Sequence, residues 1–175
     1  MRVHDKGTPM YETIFADLTN TFSEVPMPVA ALRMATALVF GAVIGLEREW
    51  RTKPAGLRTH MLISLAACIF ILVAFEITAL DFGSNETKRV DPLRLIEAVT
   101  AGVAFLAAGA IFTSGGTVKN LTTGASMWLA GAIGLCCGAG RIPLAVLATV
   151  LALLVLTIVT WVEKQAPLDT EEQDD

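Results

Sequence analysis

Charge is scarce in this chain: only 17% of its 175 residues are charged and 7% aromatic, with two histidines and three cysteines. His4 and His60 are far apart and no Cys/His set has zinc-ligand spacing, so neither a metal nor another cofactor is expected. Cys68, Cys136 and Cys137 all fall in apolar runs, where thiols act as small packing groups, so no disulfide is expected. No nucleophile–base pair is apparent, which argues against an enzyme, and nothing points to nucleic acid. No early apolar run marks a cleavable signal peptide, so the first long apolar run is expected to direct insertion itself.

What the chain has in abundance is apolar length. Five runs, Val29–Leu46, Met61–Leu80, Leu95–Phe112, Thr123–Ala139 and Ile142–Trp161, fill most of it. Each is about 17 to 20 residues long, which at ~1.5 Å rise per residue matches a hydrocarbon core ~30 Å thick. They are apolar nearly all round, whereas a soluble helix shows a stripe. The expectation is an all-α, polytopic transmembrane bundle of about five spans, with membrane lipid as its surroundings. Residues 29–163 form its one domain, between a polar leader, 1–28, and an acidic tail, 164–175. In the leader, Met10, Ile14, Phe15, Leu18 and Phe22 recur at helical spacing, which predicts a short amphipathic helix packed on the bundle and ended by Pro26 and Pro28.

Orientation follows the Lys/Arg content of the short links. One side holds Arg48, Arg51, Lys53, Arg58, Lys119 and Lys164; the other holds Lys88, Arg89, Arg94 and Arg141. The richer side is expected inside, which puts the N-terminus outside and the C-terminus in the cytoplasm. The segments 47–60 and 113–122 then share the cytoplasmic face.

Those two segments carry the most unusual residues. Glu47, Arg48, Glu49, Arg51 and Arg58 alternate in sign, Lys53–Gly56 reads as a tight turn, and Thr59 is placed to cap the helix that holds His60. This is either an orientation-setting basic loop or a docking surface. The segment 113–122, with Gly115, Gly116, Asn120, Thr122 and the adjoining Thr123, suits turn backbone or an anion-binding nest, and lacks P-loop spacing.

Small residues recur at four-residue spacing: Ala37, Gly41 and Gly45, then Ser126, Ala130, Gly134 and Gly138, with more alanine and glycine in 101–109. In lipid, such residues let backbones approach closely. Spans one, three and four are therefore expected at the centre. Span five is expected to face lipid, anchored by Trp161 and Lys164, and Ser126 could line the pore of a homo-oligomer. Three charges lie inside spans, Arg33, Glu76 and Glu97. An alternating topology puts all three within about 6 Å of the same surface. They are expected either to pair as an ion cluster or to act as staples solvated by snorkelling. Asp91–Pro92 reads as a helix N-cap with proline at the first position.

Taken together, Gly45–Glu49, Pro54–His60, Asp91–Arg94 and Leu121–Trp128, in this order and spacing, resemble the membrane domain of the MgtC/SapB family over residues 30 to 163. The resemblance implies a protein of the bacterial inner membrane, without enzymatic activity. It also implies links to growth in low magnesium, acid stress, virulence and inhibition of the proton-driven ATP synthase, which makes that enzyme the expected membrane partner. The short acidic tail is similar to SapB-type members, which lack the soluble C-terminal domain of MgtC. A small magnesium or proton transporter or channel is the alternative; the absence of a polar stripe or an internal repeat weighs against it.

Overall fold

A computed structural model describes residues 9–19, 22–79, 91–114, 116–159, 161 and 165. Helix α1 covers Met10–Thr19, α2 Met27–Trp50, α3 Leu57–Ala79, α4 Pro92–Ala110, α5 Leu121–Gly138 and α6 Ile142–Leu154, continued by a π-helical turn over Val155–Val159. Four of them, Met27–Trp50, Leu57–Thr78, Leu93–Ala110 and Leu121–Gly138, are long and apolar enough to cross a membrane; the apolar helix Ile142–Ile158 is shorter. The all-α membrane bundle stands, with one addition. Strands β1, Phe112–Ser114, and β2, Thr117–Lys119, pair antiparallel where the sequence suggested only a loop. Gly116, at φ +77°, supplies their turn in a conformation that side chains disfavour.

The helix ends follow ordinary stereochemistry. Asp91 Oδ1 accepts from the Leu93 backbone N–H at 3.0 Å, with Pro92 behind it, as the sequence predicted. Pro26 precedes α2. The link between α2 and α3 is shorter than the apolar run implied, because both helices continue past it: Glu47–Trp50 and Leu57–His60 are helical. Thr59 is therefore inside α3 and not its cap. Glu49 takes that role, its Oε2 accepting from Leu57 N at 2.7 Å.

The centre is α3, flanked by α2 and α5. This corrects the expectation that span three belongs there. The glycine ridges of α2 and α5 both face α3, whose backbone they approach. A Cβ on Gly41 would lie 2.7 Å from His60 O, one on Gly45 2.7 Å from Leu57 Cα, and one on Gly138 2.7 Å from Cys68 O. Gly134 sits against the Ser64 carbonyl in the same way. In α4, Gly102 and Gly109 have nothing within 4 Å of a Cβ. Ala37, Ala130, Cys68 and Cys137 are fully buried in this centre.

Helix α6 turns Ala145, Thr149 and Ala152 inward and leaves Leu144, Leu147, Val150 and Leu151 exposed, as a lipid-facing span requires. Trp161 is exposed; Lys164 and residues 166–175 lie outside the described residues. In α1, Met10, Ile14 and Phe15 are exposed.

Candidate functional site

Backbone geometry first gathers the site. The tight link over residues 51–56 keeps the end of α2 beside the start of α3, and Asn120 Nδ2 donates to Ala110 O at 3.1 Å, tying the start of α5 to the end of α4. Asn120 itself stands at φ 67°, in the left-handed region that asparagine tolerates. Helices α2, α3 and α5 therefore meet at one end of the bundle, the end that carries the β1–β2 hairpin.

Buried polar side chains concentrate there. Arg48, only 3% exposed, donates from Nη2 to Thr123 Oγ1 at 3.0 Å. His60, at 0%, places Nδ1 2.8 Å from Gly56 O and Nε2 3.0 Å from Ser126 Oγ. A carbonyl oxygen can only accept, so Nδ1 carries a proton and donates. Ser126 Oγ also lies 2.9 Å from Thr123 O. Its single proton serves one acceptor at a time. With a neutral ring it is drawn to Nε2; with a cationic ring Nε2 donates and the serine proton turns to Thr123 O.

The charges meet at the same place. Glu47 accompanies Arg48, with Oε2 3.9 Å from Nη1, and its Oε1 pairs with Arg51 Nε one turn further on. The arrangement has an electrostatic reason. Arg48 reaches the first turn of α5, where unpaired backbone N–H groups make the field positive, so a buried cation there needs an anion beside it.

Of the residues singled out from the sequence, Glu47, Arg48, His60 and Thr123 share this centre, and Glu49 closes its outer side. Arg58 and Thr122 are exposed, Thr59 is half-buried, and none of the three joins the centre. Ser126 completes it, and Ser64 is buried one turn along α3 from His60. Ser126 faces the bundle interior, which removes it from the wall of any oligomeric pore. Their positions carry a signal that spacing alone could have given: Ser126 follows Thr123 by three residues, and Ser64 follows His60 by four.

The predicted ion cluster at the opposite end does not form among the described residues. Arg33 Nη1 donates to Gly138 O at 2.8 Å, the carbonyl end of α5, where the helix dipole favours a cation. Glu76 Oε2 accepts from Ser23 Oγ at 2.7 Å, and its carboxylate also accepts from the backbone N–H groups of Ser23, Glu24 and Val25. Each charge is met by backbone, so neither needs the other. Glu97 is exposed on α4 and makes no hydrogen bond or ion pair among the described residues.

Comparison with known proteins follows the same stretch. A protein of Synechocystis sp. is 37% identical over 123 residues, covering 70% of this chain and 49% of its own length. Protein MgtC of Salmonella typhimurium is 37% identical over 122 residues, 70% of this chain and 48% of its own length. Protein MgtC of Brucella abortus is 36% identical over 130 residues, with 74% and 51% covered. The chain thus spans about half the length of these curated relatives, and no solved structure matches it. The matched region takes in the whole polar centre and the glycine contacts around it, and since residues 34–165 also match the MgtC family model, the chain belongs to the MgtC family.

Proposed function

We propose that this chain is a non-enzymatic protein of the bacterial inner membrane that acts through contact with another membrane protein. Its setting is the magnesium-limitation, acid-stress and virulence physiology associated with the family. In this reading the hairpin end lies in the cytoplasm and the N-terminus outside, following the Lys/Arg bias of the links.

The carrying observation is a closed interior beside an open flank. Arg48 bonds Thr123 and His60 bonds Ser126, side chain to side chain, across the helix contacts. Beyond them Gly41, Gly134 and Gly138 bring backbones into contact, with no width for a hydrated ion. Helix α4, by contrast, leaves an apolar groove of ≈ 590 Å³ against α5, walled by Ile96, Val99, Val103, Trp128 and Leu135. Glu97 stands in that wall, and Phe105 is 79% exposed nearby on α4. A carboxylate on a lipid-facing wall is costly, and a donor on a partner helix would offset that cost. The exposed Arg58 and Thr122 offer further contact surface at the hairpin end.

The family resemblance makes the ATP synthase the partner to test. A photo-crosslinking residue at Phe105 or Arg58, activated in native membranes, should capture its subunits. Capture of lipid or of the chain itself alone would defeat the proposal.

One observation favours transport instead. Along α3, His60, Ser64 and Cys68 follow at four-residue intervals, all fully buried, and the Ser64 hydroxyl has no hydrogen-bond partner. Proton or magnesium flux in proteoliposomes that disappears with His60→Leu would favour that reading.

A further inference from the structure

Among the described residues, the charges at the hairpin end do not balance. One carboxylate, Glu47, stands between two guanidiniums, those of Arg48 and Arg51. The other nearby acid, Glu49, is turned away to cap α3 at Leu57 N. The positive first turn of α5 adds to the same side, since Arg48 bonds Thr123 there. Glu47 is 7% exposed and Arg48 3%, while Arg51 is half-buried and carries the surplus to the surface of the bundle. Among the described residues, the centre is short of one anion.

A groove lies where that anion would be needed. It runs between the end of α2 and the end of α6, with a volume of ≈ 610 Å³, within the range of about 300–1,000 Å³ usual for ligand sites. Val43, Leu46 and Leu153 make its apolar length, and Glu47, Arg51 and Thr157 make its polar end. Trp50 stands at the rim, 81% exposed, as tryptophan does at a membrane–water boundary. Opposite Arg51, α6 gives way to the π-helical turn Val155–Val159, a rare geometry that is frequent at functional sites.

Arg51 is presented rather than loose. Glu47 holds it through Nε, and its two terminal nitrogens have no partner among the described residues. A guanidinium held in this way offers parallel donors that match phosphate oxygens. Thr157 Oγ1 already donates to Leu153 O, which leaves Arg51 as the side chain at the polar end with donors to give.

An apolar trough that ends on a fixed guanidinium, open to the bilayer along its side, has the shape and charge order of a phospholipid. We infer that this groove is a binding site for one anionic phospholipid of the leaflet at the hairpin end. Arg51 takes the headgroup phosphate, and the acyl chain lies along Val43, Leu46 and Leu153. The surplus positive charge selects an anionic headgroup over a zwitterionic one, because only the former brings a net negative charge.

Native mass spectrometry on the full chain, released from nanodiscs of equal phosphatidylglycerol and phosphatidylethanolamine, tests this. One phosphatidylglycerol per chain should be retained, in about tenfold excess over phosphatidylethanolamine, the scale of one charge-assisted contact. Arg51→Gln should remove that preference. Thr157→Trp fills the groove from the α6 wall and keeps both members of the ion pair in the chain, so it should abolish retention even if Arg51→Gln folds poorly. Equal retention of the two lipids, or unchanged phosphatidylglycerol in Thr157→Trp, would overturn the inference. Loss of the lipid to millimolar inorganic phosphate would overturn it too, since the site would then recognise free phosphate.

Discussion

Glycine is worth different amounts in two helices of this bundle, and alanine substitution separates them. At Gly134 a Cβ would clash with the Ser64 backbone, its carbonyl carbon at 2.8 Å, and would lie 2.9 Å from Ala67 Cβ. These are backbone and a methyl group, neither of which can swing aside, so α5 must move off α3. Overpacking of that kind costs about 1–3 kcal/mol. At 2–4 °C per kcal/mol for a chain of this size, Gly134→Ala should melt roughly 2–12 °C lower. Gly102 and Gly109 in α4 face nothing within 4 Å, so the same change there removes only backbone freedom. Gly102→Ala should be neutral or stabilising by up to about 1 kcal/mol. The assay is thermal unfolding in one detergent, followed by tryptophan fluorescence. If Gly134→Ala melts with the parent, or Gly102→Ala falls as far, the assignment of α3 rather than α4 to the centre is wrong.

Three further outcomes follow from named contacts. Thr123→Val keeps the shape of the side chain but removes the acceptor of the Arg48 Nη2 bond, leaving a buried charged donor unmet. It should cost about 1–3 kcal/mol in the same melting assay, and Thr123→Ser should recover most of that loss. Glu47→Gln leaves two guanidiniums without their shared carboxylate and should cost about 3–5 kcal/mol, as breaking a buried pair does. Glu76→Gln weakens the grip on Ser23, Glu24 and Val25 without touching the helix centre. Limited proteolysis should then cut between Phe22 and Pro26 faster than in the parent, while the melting point of the bundle holds.

The two ends of the bundle solve the same problem by different means. At the hairpin end, Arg48 is met by side chains, Thr123 and Glu47. At the other end, Arg33 and Glu76 are met by a helix C-terminus and a run of backbone N–H groups. Backbone dipoles have no letter in the sequence. Three charged residues near one predicted surface therefore read as an ion cluster, although Arg33 and Glu76 each find an answer without the others. The same blindness misplaced span three: a glycine ridge marks a face able to pack closely, and does not name the helix that faces it. Helix α3 lies between two such ridges with no glycine after Gly56, and so looked ordinary.

Sequence alone determined that this chain belongs in a bilayer, since so many long apolar helices leave no polar faces for water. It also determined where the helices roughly lie and that the segments around Glu47–His60 and Thr123 are unusual. Those properties depend on composition and on spacing along one helix, both of which are local. Tertiary structure alone decided that Arg48 meets Thr123 and that His60 meets Ser126. Such contacts join residues about 65 to 75 positions apart, through crossing angles set by which small residues touch.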